Sequence, residues 1–425
     1  MASIALNHHQ HTRSHSEASQ ALCLLTLLSN NLVLHRTIPY LPFPSVMNLA
    51  ATSRFFHSLL HSTPSVFRHL DLTWFRLRSG LYGYNTLRHV FSSLQRQDIL
   101  RDVKTLVLDG MFVSADFIHD ILIDPVSRIR VLSIRQVRDL SEQKLMQALR
   151  YACRPTRPEG TPRLQALYYF GSQDYEDSGL VSAPVARQRN GEDWYGQQGK
   201  VDMYRFDAEW AETLLDCREI LRFDAVLCTS PRHQNSAAFG KVPLKEPGAR
   251  LCALATYAVG GCASCGSAPE GFTVYGETDP AGLPLLSPIP LHSSTVKAAM
   301  RPTPKTNEVN QRHEFIPRCM ECIDKRICRD CGRWWCEACQ PDQLRTWFGN
   351  LDPIGTSLAY IKAPMVMLDC WECEPKCLHC IAETQKYCRG CGGGYCIIHY
   401  EGSTQTLGAL SVLPHDAEIS IDVCL

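Results

Sequence analysis

Apolar positions along this chain change period twice. Between Ala21 and Leu72 they recur at the spacing of a helix that buries one face. The pattern predicts one helix from Leu22 to about Ile38, kinked where Pro39 removes a backbone donor. After the interruption Leu41-Pro42-Phe43-Pro44, Ser45 is placed to cap a second helix, MNLAATSRFFHSLL, which the Ser62-Thr63-Pro64 break ends. The polar, His- and Ser-rich residues 1–20 predict a disordered tail. Its histidines, at positions 8, 9, 11 and 15, have nothing rigid to hold them as a metal site.

Beyond Leu72 the pattern shortens to strand-like runs with helical stretches between them. Val103–Leu108 (VKTLVL), Ile129–Ile134 (IRVLSI) and Leu164–Tyr169 (LQALYY) are the clearest, with further strands predicted at Leu70–Trp74, Phe223–Leu227 and Leu254–Val259. Ser141 opens the helical stretch SEQKLMQALRYA. Strand and helix alternating at irregular steps of about 25 to 35 residues is similar to degenerate leucine-rich repeats; a doubly wound α/β domain is the alternative. No G-x-G-x-x-G or P-loop pattern follows any strand. Residues 172–205 are polar and residues 267–312 proline-rich, so both read as irregular insertions.

The period changes for the last time where cysteines take over. Of 21 cysteines, thirteen lie between Cys319 and Cys396. They form the pairs Cys319/Cys322, Cys328/Cys331, Cys336/Cys339, Cys370/Cys373, Cys377/Cys380, Cys388/Cys391 and Cys396/His399, each separated by two residues. That spacing sets two ligands on one tight turn, at the separation a tetrahedral ion demands. Gly332 and Gly392 each follow a middle pair, where a knuckle needs positive φ to turn amide groups onto sulfur. Cys319–Cys339 and Cys377–His399 are thus two copies of one unit. Three pairs cannot fill two four-coordinate sites. The second unit finds its missing pair in Cys370/Cys373, and the first in Cys262/Cys265, which Gly266 follows. The alternative for Cys262/Cys265 is a pair of buried thiols. Sixteen ligands make about four zinc sites, all structural, since no position is left for a reactive water. Cys23, Cys153, Cys217, Cys228, Cys252 and Cys424 read as core or incidental residues. The second unit also resembles the first six ligands of a B-box zinc module.

The helical stretch has a family likeness too. Leu41-Pro42, Val46, Met47, Leu49 and Ala50, then Thr52-Ser53-Arg54 and Phe56, then Leu59, Leu60, Val66, Phe67, Arg68 and Leu70-Asp71-Leu72 resemble the F-box. This resemblance implies a compact helical module that binds a Skp-type adaptor and, through it, a cullin. It implies adaptor contacts at Leu41, Pro42, Met47, Leu49, Thr52, Ser53, Arg54, Phe56, Leu59, Val66 and Phe67.

The expected layout is α+β and multidomain. It comprises a tail over 1–20, an F-box-like helical module over 21–75, a leucine-rich-repeat-like α/β middle over 76–260, and a C-x-x-C and proline-rich linker over 261–312. A zinc-stapled module over 313–400 and a tail over 401–425 complete it. Lys plus Arg balance Asp plus Glu at 43 each, so no net field recruits nucleic acid or an anionic membrane. Arg318, Lys325, Arg326, Arg329, Arg333, Trp334 and Trp335 read as a basic, aromatic face for a partner or single-stranded nucleic acid, with a solvated face as the plainer reading. No stretch reaches the length of a membrane span, and no cleavage pattern follows ALCLLTLL, so a cytoplasmic or nuclear protein is expected. The expected function is non-catalytic recruitment of a protein substrate to an SCF-type ubiquitin ligase. The alternatives are a direct zinc-finger ubiquitin ligase and a zinc-dependent nucleic-acid or chromatin-binding protein.

Overall fold

The computed structural model describes residues 24–75, 84–171, 208–243, 252–301, 314–339, 366–367, 372–373, 375–387 and 394–399. The chain divides after Val66 into two compact units.

The first unit is helical: α1 (Leu24–Ser29), α2 (Asn31–Thr37), a 3₁₀ turn (Ile38–Tyr40), α3 (Phe43–Thr52) and α4 (Arg54–Ser62). The helix expected over 22–38 is two, because Asn30 leaves the helical conformation and its Oδ1 accepts the Leu32 N–H at 2.9 Å, capping α2. Pro39 falls in the 3₁₀ turn, as its missing donor requires. The stretch MNLAATSRFFHSLL also splits. Ser53 is extended and its Oγ accepts the Phe56 N–H at 3.2 Å, capping α4. α3 begins ahead of Ser45, with Pro42 at its cap. Leu28, Leu34, Ile38, Val46, Ala50, Phe56 and Leu60 are buried.

The second unit opens with a five-stranded parallel sheet: β1 (His69–Asp71), β2 (Thr105–Val107), β3 (Val131–Ser133), β4 (Ala166–Tyr168) and β5 (Arg222–Phe223). The strands lie side by side in chain order, without the reversal that defines a doubly wound sheet. Between them run α5 (Tyr84–Arg96), α6 (Ala115–Ile123), α7 (Glu142–Ala152) and α8 (Ala208–Cys217), with α7 packed against both α6 and α8. Ser114 and Ser141 cap α6 and α7 through their hydroxyl oxygens. β2, β3 and β4 are buried at every position, as expected of parallel strands covered on both faces.

The second face of the sheet is covered by the segment expected to be irregular. Val131, Ala166 and Tyr168 share a core with Leu283, Leu285, Leu286, Met300 and Phe315. The prolines of that segment break its regular structure while its leucines enter the core, and the Leu285 N–H donates to Phe223 O at 2.8 Å along the edge of β5. It also contributes β7 (Thr273–Val274) to an antiparallel sheet in the order β6 (Tyr257–Val259), β8 (Glu314–Arg318), β7, and a short helix α9 (Val296–Ala299). The cysteine-rich region therefore grows out of the sheet's own core. It adds α10 (Met320–Ile323), β9 (Val366–Met367), β10 (Lys376–Cys377), α11 (Leu378–Thr384), β11 (Gln385–Tyr387) and β12 (Gly394–Cys396).

Buried aspartates stitch the strand ends. Asp109, just past β2, accepts from Ser133 Oγ at 2.6 Å, from the Arg135 N–H at 2.8 Å and from Arg135 Nε at 2.9 Å. Asp224, just past β5, accepts the N–H groups of Tyr169, Phe170 and Gly171 at 2.9, 3.0 and 2.9 Å. Burial pushes both carboxyls up, and these donors pull them back.

Candidate metal centres

Among the described residues of the second unit, four groups of cysteine and histidine side chains converge, with ligand atoms in each lying within 4.8 Å of one another. Site I is Cys228, His233, Cys319 and Cys322; site II is Cys262, Cys265, Cys336 and Cys339. Site III is Cys328, Cys331, Cys377 and Cys380, and site IV contains Cys373, Cys396 and His399. The expected ligands Cys370, Cys388 and Cys391 lie outside the described residues.

Local backbone explains each half-site. Cys319 stands at the N-cap of α10 and Cys322 inside it, so one helical turn brings both sulfurs to one side. Cys262/Cys265 and Cys328/Cys331 are knuckles: Gly266 and Gly332 take φ of +72° and +69° just past the pair, and each donates its N–H to the carbonyl of the first cysteine. The Ser264 and Cys336 N–H groups point at Cys262 Sγ, at 3.4 and 3.3 Å. Burial alone pushes the Cys262 thiol up, but these amides and those of Cys265 outweigh it and hold it at about 7. Cys328 is likewise brought to about 7, against its burial, by the N–H groups of Cys331, Cys377 and Asp330. Such thiols deprotonate readily, and the thiolate is the metal-binding form.

Distances test the fit. Tetrahedral sulfurs around an ion with bonds of about 2.3 Å stand about 3.8 Å apart, whereas a disulfide holds them at about 2.05 Å. Cys265–Cys336 and Cys331–Cys377 are each 3.8 Å, and Cys373–Cys396 is 3.7 Å. His233 Nε2 lies 3.3 Å from Cys319 Sγ and 3.2 Å from Cys322 Sγ. His399 Nδ1 lies 3.4 Å from Cys373 Sγ and 3.8 Å from Cys396 Sγ. Burial opposes a charge on His233, but the sulfurs of Cys319 and Cys322 prevail and push it up to about 10. That pocket favours a cation.

The expected pairing of Cys262/Cys265 with the first unit is met through Cys336/Cys339. The remaining assignments differ from two self-contained units. Cys319/Cys322 turn back to Cys228 and His233, and Cys328/Cys331 turn forward to Cys377/Cys380 of the second unit. Cys228, expected to be a core or incidental residue, is buried in a core cluster and also stands among the candidate ligands of site I. His233 carried a usable signal, the C-x4-H spacing from Cys228, which a search for C-x-x-C pairs passes over.

The basic, aromatic face also changes. Arg318, Arg326, Trp334 and Trp335 are buried, while Lys325 and Arg333 are exposed. Arg318, fully buried, forms an ion pair with Glu270, lies 3.9 Å from Glu337 and sits 5.0 Å from the Trp334 ring. Arg326 Nη2 donates to Glu337 Oε1 at 3.0 Å and Ser230 Oγ to the same oxygen at 2.7 Å. Burial opposes ionisation of Glu337, yet Arg318 and Arg326 hold its carboxyl below the usual range. Arg318 precedes site I's Cys319 and Glu337 follows site II's Cys336, so this buried network braces one site against the other.

The adaptor contacts expected in the helical unit have mixed exposure. Pro42, Thr52, Ser53 and Arg54 are exposed; Leu41, Met47, Leu49 and Leu59 are half-buried; Phe56, Val66 and Phe67 are buried. The neighbouring Phe55 is 45% exposed, Leu32 78% and Tyr40 64%. No helix among the described residues is long and apolar enough to cross a membrane. No family model, curated protein or solved structure matches this chain.

Proposed function

We propose that this chain is the substrate-recruiting F-box subunit of a cullin-RING ubiquitin ligase of the SCF type, with structural zinc in its recognition region. One observation carries the reading: a separate helical unit with exposed Leu24, Leu32, Tyr40 and Phe55 directly precedes a parallel sheet whose strands follow chain order. Large apolar side chains at a module's surface favour a protein partner. The sheet order, with a buried aspartate at two strand ends, supports a leucine-rich-repeat-like middle in preference to a doubly wound one. Soft thiolate and imidazole ligands with tetrahedral spacing favour zinc. Three sites supply four protein ligands each, which leaves the ion a structural task.

Co-purification of the full chain with a Skp-type adaptor tests the reading. Wild-type protein is expected to capture the adaptor, and Leu32→Asp with Phe55→Asp to lose it without losing metal. Failure of the wild type to capture the adaptor, or ligase activity of the chain without adaptor and cullin, overturns it.

A further inference from the structure

The inner face of the parallel sheet is filled by Leu283, Leu285, Leu286, Met300 and Phe315, and so offers no docking surface. The end at which the strands begin is different. There the chain passes from α6 into β3 through residues 124–130 and from α7 into β4 through residues 153–165. The two connections meet side by side: the N–H groups of Gln165 and Ala166 donate to Arg130 O at 2.8 and 3.0 Å.

Two properties coincide at this end. The first is charge. The connections hold five arginines, Arg128, Arg130, Arg154, Arg157 and Arg163, against two carboxylates, Asp124 and Glu159, in a chain whose charges balance overall. Arg128, Arg130 and Arg163 are exposed, and none of the five pairs with a carboxylate among the described residues. Arg154 and Arg157 donate to the carbonyls of Tyr151 and Arg154, which leaves their charge uncompensated. The second property is apolar exposure. Ile123, the last residue of α6, is 43% exposed, Val126 is 73% exposed, and Tyr151, in the last turn of α7, is 51% exposed. The ring of His119, one turn before Ile123, lies 6.0 Å from that of Tyr151, so the two helix ends stand together.

Exposed cations beside large exposed apolar side chains fit an acidic segment that carries apolar side chains of its own. Nucleic acid fits less well. Ile123 and Val126 offer no ring for a base to stack on, and the Tyr151 ring already carries the Arg154 guanidinium at 3.7 Å. A continuous anionic surface such as a membrane meets Asp124 and Glu159 too, whereas a peptide places its carboxylates on the arginines alone. We propose that this end of the sheet docks an acidic segment of a protein partner, its carboxylates on Arg128, Arg130 and Arg163 and its apolar side chains on Ile123, Val126 and Tyr151. This role deepens the recruitment reading and rests on it: the partner is then a substrate for ubiquitin transfer. Binding is measured without adaptor or cullin, so its failure and the failure of adaptor capture are told apart.

The test is fluorescence anisotropy of three peptides with full-length, metal-replete protein. They are fluorescein-Glu-Leu-Asp-Glu-Leu-Phe-Glu-Asp-Leu-amide, its counterpart with Gln and Asn for the acids, and its counterpart with Ser for the apolar residues. The first is expected to bind roughly ten-fold more tightly than either counterpart and to weaken as salt rises. Arg128→Glu with Arg130→Glu is expected to weaken it roughly ten-fold, and Val126→Ser with Tyr151→Ser about five-fold. Arg138→Glu, an exposed site past the other end of β3, is expected to leave it unchanged. These changes fall on exposed side chains, and an unaltered metal count by native mass spectrometry confirms that each variant folds. Overturning results are equal binding of the neutral or the apolar-free peptide by the wild type, or undiminished binding by both double variants. Tighter binding of oligothymidylate or phosphatidylserine vesicles than of the acidic peptide, or a wild-type dimer that the double variants dissolve, overturns it as well.

Discussion

His233 Nε2 stands 3.2 Å from Cys322 Sγ, tying the loop that leaves the last parallel strand to the first turn of α10. The two residues are 89 positions apart. A loop of that length closes at little more entropic cost than a much shorter one, and a bound ion offsets that cost many times over. The sheet and the cysteine-rich region thereby share an apolar core and the candidate ligands of site I.

Metal content follows from the four groups. Protein purified under reducing conditions is expected to carry about four zinc ions, at four ligands per ion. Cys228→Ser or His233→Ala is expected to lose one ion and retain the others, as counted by native mass spectrometry. A variant that keeps the full count shows that site I holds no metal.

Asp224 tests the sheet. Its carboxylate accepts three backbone N–H groups, all of which Asp224→Ala leaves unpaired. At roughly 1–3 kcal/mol per buried unsatisfied donor, the expected loss in urea unfolding is at least about 3 kcal/mol. Asp224→Asn keeps one acceptor and is expected to lose less.

Arg318 tests the brace between sites I and II. Arg318→Met leaves Glu270 and Glu337 buried with too few partners and is expected to cost roughly 3–5 kcal/mol. Adding Glu270→Gln is expected to recover part of that loss, so the double variant falls short of the sum of the singles. Additive losses in a chemical-denaturation cycle contradict a direct coupling.

The helical unit offers a contrast between neighbours. Phe55 is 45% exposed and Phe56 9%. Phe55→Ser is expected to change stability by no more than about 0.5 kcal/mol. Phe56→Ala is expected to cost about 3–5 kcal/mol, as truncation of a buried aromatic does. Thermal unfolding of the two variants checks this ordering, and only the Phe55 variant separates adaptor capture from folding.

Local constraints were legible in the sequence; among the distant partnerships of the cysteine pairs, that of Cys262/Cys265 with the first unit was legible and the others were not. Each C-x-x-C pair could be read because two ligands on one turn is a constraint of a few residues. Which pair shares an ion with which depends on how the whole unit folds, so the exchange between the two repeats was hidden. The runs VKTLVL, IRVLSI and LQALYY became β2, β3 and β4 because a strand buried on both faces is largely apolar, its buried Thr105 and Ser133 being satisfied by hydrogen bonds. Arg318 and Arg326 looked like surface because charge in a sequence carries no sign of Glu270 and Glu337 folding onto it. The proline-rich segment misled for a related reason. Proline predicts where regular structure stops, and Leu283, Leu285 and Leu286 were free to enter a core without it.

The interleaving of the sites also imposes an order in time. Their ligands span residues 228–322, 262–339, 328–380 and 373–399, so each span begins before the preceding one has ended. A chain emerging from the ribosome can close site I once Cys322 is out and site II after Cys339. Site III must wait for Cys380, and site IV for His399, leaving cysteines such as Cys331 without their partners in the meantime. Closure in chain order therefore proceeds from the sheet outward. Release stopping at any point between Cys339 and Cys377 leaves two finished sites and one half-knuckle with nothing to close on.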